Sequence, residues 1–162
     1  MTSFYDTINA IKTYLQGNTS VNTVSFGDIL KVDLSKQSLF PLSNISVSDV
    51  TFGEHTMAFT LNVMALDVVY DSGENITSED NPFLGTNNLQ DVLNTQLVVL
   101  NGLQSSLRRG ELMQDKFIVD SNLSADYLEE QFDNLLAGWA MDITVEVPNV
   151  DINDIKKTGS GC

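Results

Sequence analysis

The sequence predicts an α+β domain: a mostly antiparallel sheet with an N-terminal helix and a long helix, at about 88–108, packed on one face. Three observations predict it. Apolar residues recur at helical spacing over 4–16 and again over 88–108. Between these stretches the chain alternates apolar and polar residues, as half-buried strands do. A third block, near 139–147, alternates most cleanly of all. With no internal repeat and no linker composition, residues 1–150 read as a single domain, followed by a flexible polar tail at 151–162.

Taken in order, Phe4, Ile8, Ile11 and Leu15 form the apolar stripe of the first helix, and Gly17-Asn18 ends it as a left-handed cap. Val21 to Val24 reads as a short strand. The stretch from Ser25 to Pro41 reads as an amphipathic, half-exposed strand. In it, Phe26, Ile29, Leu30, Val32 and Leu34 are interleaved with charges of changing sign at Asp28, Lys31, Asp33 and Lys36. Pro41 interrupts pairing, because it has no N–H to donate. Leu42 to Phe52 is the next strand, with its apolar phase shifting near Asp49, and Gly53-Glu54 is a hairpin turn.

Met57 to Tyr70 is the longest strand. Its apolar set switches phase beyond Ala65, which predicts a bulge or burial on both sides. Residues 71–86 form a long acidic loop. The long helix follows, with Leu89, Leu93, Leu97, Leu100, Leu103 and Leu107 as its stripe, widened by Val92 and Val99. Asn87 or Asn88 caps its start, and Arg108-Arg109 complement the dipole at its end. Phe117 to Val119 is a short strand. A third helix is expected from Ser124 to Gly138, on a serine cap and a Leu123/Leu128 staple. Trp139, Met141, Ile143, Val145 and Val147 then share one face of the last strand, which Pro148 ends.

Charge narrows the function classes. Against 22 acids stand 8 bases, a formal net charge of −14 over 162 residues. A surface of that sign repels phosphate backbones and anionic membranes. Cys162 is the single cysteine, on a Gly/Ser tail, so the chain has no disulfide framework. No basic, apolar leader opens it and no apolar run spans a bilayer, which predicts a soluble intracellular product. On that expectation the Asn-x-Ser/Thr triplets are composition and not glycosylation sites.

Catalytic chemistry is thinly supplied. His55 is the single histidine and falls at the hairpin turn, so a nucleophile–base pair has one available base. The glycines are isolated, one Cys and one His do not make a zinc site, and no cofactor is expected. Asp71, Glu74, Asn75, Glu79 and Asp80 cluster in the acidic loop without the order of an EF-hand, so the loop reads as a solvated acidic surface or as an opportunistic site for a hard cation. Charge segregation is the stronger signal. No Lys or Arg occurs between Gln37 and Leu107, while Lys31, Lys36, Arg108 and Arg109 flank that span. Such a surface suits a subunit that sets unlike patches against each other in a ring, or it is solubilising charge alone.

The order of elements also carries a resemblance. An N-terminal helix, Gly27-Asp28, Asp33-Leu34-Ser35-Lys36 with Phe40-Pro41, and long strands through Phe59 to Val69 come first. An acidic loop, the helix from Asn88 to Leu107, and Gly138-Trp139-Ala140-Met141-Asp142-Ile143 complete it. Together these resemble the tail terminator (tail completion) proteins of tailed bacteriophages, small neck-ring proteins. The resemblance implies a structural virion protein of the tail and neck, assembled in the bacterial host cytoplasm. It also implies a homo-oligomeric, hexameric ring that caps the tail tube, stops its polymerisation and joins the head. The partners implied are the tube protein and the head–neck connector proteins, with DNA passing unbound.

By that analogy Asp28, Lys31, Asp33, Lys36, Phe40 and Pro41, with Arg108 and Arg109, lie at subunit or tube contacts, and Asp71, Glu74, Glu79 and Asp80 face the channel. The alternatives are another phage neck or connector protein, or a non-enzymatic acidic adaptor working as a monomer or dimer.

Overall fold

The computed structural model describes residues 4–69, 88–109, 118–119, 122–129 and 135–148. Helix α1 spans Phe4–Gln16 and buries Thr7, Ile11 and Leu15, as its apolar stripe requires. Gly17 closes it with an N–H to the Thr13 carbonyl. Strand β1, Thr23–Phe26, starts later than the Val21 expected. Strands β2, Leu42–Phe52, and β3, Thr56–Val68, form the hairpin around Gly53. Helix α2 is Leu89–Arg109, and strands β4, Ile118–Val119, β5, Ala125–Glu129, and β6, Leu136–Pro148, complete the fold.

The strands make one six-stranded sheet in the order β1-β2-β3-β6-β4, with β5 also paired to β6. Among the described strands only the β1–β2 pairing is parallel. The long β2–β3–β6 centre is set by register. Ile45 lies opposite Val63, and Val63 opposite Met141, so the apolar side chains of the three strands meet on one face. Both helices pack there. Ile11 and Leu15 of α1 and Val99, Leu100, Leu103 and Leu107 of α2 close over Leu61, Val63, Ile143 and Val145 in the main core. Full burial of one such leucine contributes about 1.5–3 kcal/mol. The α+β architecture is the one the periodicities predict.

Within α2 the buried stripe is turned slightly from the expected one. Leu97 is 43% exposed, while Gln96 is fully buried. The phase switch in β3 is burial on both sides. Register runs unbroken through Ala65 and Leu66, and both residues are fully buried. In β2 the switch is a bulge, between Val47 and Asp49.

Two expectations are overturned. Residues 125–129 are strand β5 and not the start of a third helix. Ser124 and Leu128 carry a helix-start pattern, but β6 offers an open edge. Pairing there sets Tyr127 directly opposite Trp139, ring centroids 5.8 Å apart. The five-residue ladder from Ala125 to Glu129, with this aromatic pair inside it, outweighs a local cap signal. Gly138 is accordingly inside β6 and not a helix terminator. It is glycine because a Cβ there would overlap the Ala65 carbonyl of the neighbouring strand.

The second correction concerns 25–41, which is not a continuous amphipathic strand. After β1 the chain turns at Gly27, φ 104°, and crosses the sheet in two 3₁₀ turns, Ile29–Lys31 and Gln37–Leu39. Asp28 and Asp33 accept the N–H groups of Leu30 and Ser35, and such local bonds favour turns over strands.

Candidate interaction surfaces

The crossover from Gly27 to Pro41 works as a strap on the sheet face opposite the helices. Ile29 and Leu34 are its buried anchors. They pack with half-buried Val32 and Phe40 against Leu42, Met64, Val68 and Leu136. Both ends are clamped. Gly27 donates its N–H to the Ile45 carbonyl at 2.8 Å, and the Asn44 amide donates to the Gly27 carbonyl at 3.1 Å. At the other end the Pro41 carbonyl accepts from the N–H groups of Asn22 and Thr23, and the Asn22 side chain donates to the Ser38 carbonyl. A short polar loop held at both ends presents its side chains in a defined geometry.

Those side chains are the charges singled out in the sequence. Asp28, Lys31, Asp33 and Lys36 are all exposed, and Leu30, between them, is 73% exposed. The Lys36 ammonium lies 3.8 Å from the Asp33 carboxylate. Hydrogen bonds from the Ser35 hydroxyl and N–H, with that lysine nearby, hold the Asp33 carboxyl below its usual range. Phe40 and Pro41 lie at the strap's end as a cis pair, both half-buried.

Arg108 and Arg109 do not join this group. They end α2, which lies on the other face of the sheet. The helix begins beside Val68, whose carbonyl accepts from the Asn88 amide, and runs away from the end that the strap covers. Strap and arginines are therefore separated by both the sheet and the length of α2. Asp71, Glu74, Glu79 and Asp80 lie outside the described residues. His55 is at the hairpin tip with its side chain 86% exposed, its nearest charged neighbour being Glu54 at 4.0 Å. No group of three or more His, Cys, Asp or Glu among the described residues is placed to hold a metal ion. Nor is any described helix long and apolar enough to cross a membrane.

Beyond the strap, the same sheet face is polar. Asn62 donates to the Asp142 carboxylate across β3 and β6 at 2.8 Å, with Thr60 opposite Thr144 beside it. Asp49, Asp142 and Glu146 leave this face acidic. On β3, burial pushes the Asp67 carboxyl up, against an opposing hydrogen bond from the Val68 N–H.

Sequence reasoning missed a second surface, at the β1–β2 side of the helix-covered face. Phe4 packs edge-on against Phe59 and Phe26 at 5.4 and 6.5 Å, yet Phe26 stays 57% exposed and Phe52 74%. The signal was present as aromatic residues at the ends of two strands, where a core phenylalanine is poorly covered. No protein-family model matches this chain, and no curated protein is significantly similar to it.

Proposed function

We propose that this chain is a structural virion protein, a ring-forming subunit that caps a bacteriophage tail tube, ends its growth and supplies the surface that meets the neck. The observation that carries this reading is the strap. Six residues assigned to subunit or tube contacts (Asp28, Lys31, Asp33, Lys36, Phe40 and Pro41) are collected on one loop, clamped at both ends and anchored by Ile29 and Leu34. Rigid presentation of scarce bases in an acidic protein suits contact with the acidic face of a neighbour. In a heterologous ring the two patches are different surfaces of one subunit. Acidic groups facing a channel would repel DNA in transit, and that part falls to Asp71, Glu74, Glu79 and Asp80.

Reversal of both Lys31 and Lys36 to Glu tests the reading. Both side chains are exposed, so circular dichroism of the double variant should match that of the parent. Electron microscopy and sedimentation should show rings for the parent in the presence of tubes, and subunits alone for the variant. Rings of unchanged yield from the double variant would remove the strap from the contact.

A further inference from the structure

Strand β2 is paired along its whole inner side but along only part of its outer side. β1 covers Leu42 to Ile45, and the Gly27 N–H closes onto the Ile45 carbonyl. From Ser46 to Phe52 no strand among the described residues lies against the outer edge. The direction of the free backbone groups follows from the ladder. Ile45 points its carbonyl outward to Gly27, so Val47, two residues on, also turns its N–H and carbonyl outward. At the hairpin end Gly53 donates inward to Thr56, so Phe52 and Val50 turn outward in their turn. The bulge between Val47 and Asp49 accounts for the change of phase. Val47, Val50 and Phe52 thus turn donors and acceptors to a side where no described strand pairs with them.

The side chains along this edge are sorted by face. Val47 and Phe52 are exposed on the helix side, the side on which Phe4 packs on Phe26 and Phe59, and make this edge apolar. On the opposite side stand Ser46, Asp49 and Thr51. Asp49 and Glu54 are the acids of the strand and its turn, His55 beside Glu54 is the one titratable base there, and no Lys or Arg occurs between Gln37 and Leu107. A bulge and an inserted charge protect an edge from a like strand. A second copy of a chain carrying −14 meets such an edge with the same sign of charge.

We propose that the outer edge of β2, Ser46 to Phe52, is a docking site for an extended segment of a different protein, one that alternates apolar residues with Lys or Arg. Added as a strand, the segment places its apolar side chains on Phe26, Val47 and Phe52 and its bases over Asp49. Main-chain hydrogen bonds hold it and the alternation selects it. The proposal does not rest on ring formation, since no strand among the described residues covers this edge in the single chain.

The test uses the full chain and two short capped peptides, one alternating lysine with valine and one alternating glutamate with valine. Hydrogen exchange by NMR is followed at each amide. The lysine peptide should slow exchange at Val47, Val50 and Phe52, and the glutamate peptide should leave them unchanged. Asp49→Lys should weaken binding of the lysine peptide by about fivefold or more. Phe52→Pro, which removes an N–H facing outward and none facing β3, should abolish the protection at the edge.

Binding of the lysine peptide without protection at these amides would overturn the proposal, as would binding unchanged in both variants. Either result would mark adventitious attraction to an acidic surface. Protection that grows with protein concentration in the absence of peptide would seat a second copy there and overturn the choice of partner. The two peptide arms on the parent protein decide the question even if a variant fails to fold.

Discussion

On the helix side the sheet is covered from Ala137 to Val147 by two helices, whose interior backbone groups pair within the helix, so apolar side chains carry most of the contact there. On the other side a loop of two 3₁₀ turns covers only the end around Leu42 and Leu136, and the remainder is left polar around Asn62 and Asp142. Helices cover a face broadly because every turn of a stripe adds another buried side chain. A loop covers it by anchors, here Ile29 and Leu34, and leaves the intervening residues exposed. The difference explains why the first face supplies stability and the second presents charge.

The comparison predicts unequal responses to the same truncation. Leu61→Ala opens a cavity beneath α1 and α2, where Leu61 is fully buried. It should cost about 2–5 kcal/mol by denaturant titration, with helix and sheet signals lost together. A loss much below that range would mean that the helix-covered face is not the main source of stability. Leu34→Ala removes an anchor that is 9% exposed at the edge of a smaller cluster. There the strap can settle, so the cost should fall near the low end, about 2 kcal/mol. Hydrogen exchange should quicken at Val32 and Phe40 while Leu61 and Val63 keep their protection. Equal quickening on both faces would show that strap and helices open as one unit.

The smallest effect should have the opposite sign. Gln96 is fully buried in α2, and neither atom of its side-chain amide has a hydrogen-bond partner. Gln96→Leu keeps the approximate volume and removes an unsatisfied polar group, so it should stabilise by about 1 kcal/mol. A destabilised variant would show that the amide finds a partner in solution, and that the helix-covered face has a polar requirement after all.

Much of the fold was legible because it depends on local period. Phe4, Ile8, Ile11 and Leu15 can bury together only on a helix, and Met141, Ile143, Val145 and Val147 only on a strand. The phase breaks near Asp49 and Ala65 were legible for the same reason, although the pattern alone could not separate a bulge from burial on both sides. Register decided that: a bulge in β2, two-sided burial in β3.

What needed the tertiary structure was any segment whose partner is distant in sequence. Residues 125–129 have the caps of a helix and the fate of a strand, because Trp139 and the open edge of β6 lie across from them. The stretch from Gly27 to Pro41 shows apolar residues that alternate well enough for a strand. Only Leu136 and Met64, far along the chain, select Ile29 and Leu34 as anchors and turn the rest outward. The sequence by itself determined the charges of Lys31 and Lys36, their scarcity, and the α+β class. Tertiary packing decided that they ride on a clamped strap, and that no described strand pairs with the outer edge of β2 beside Phe52. Periodicity records which side of an element is apolar. It does not record which element arrives to cover it.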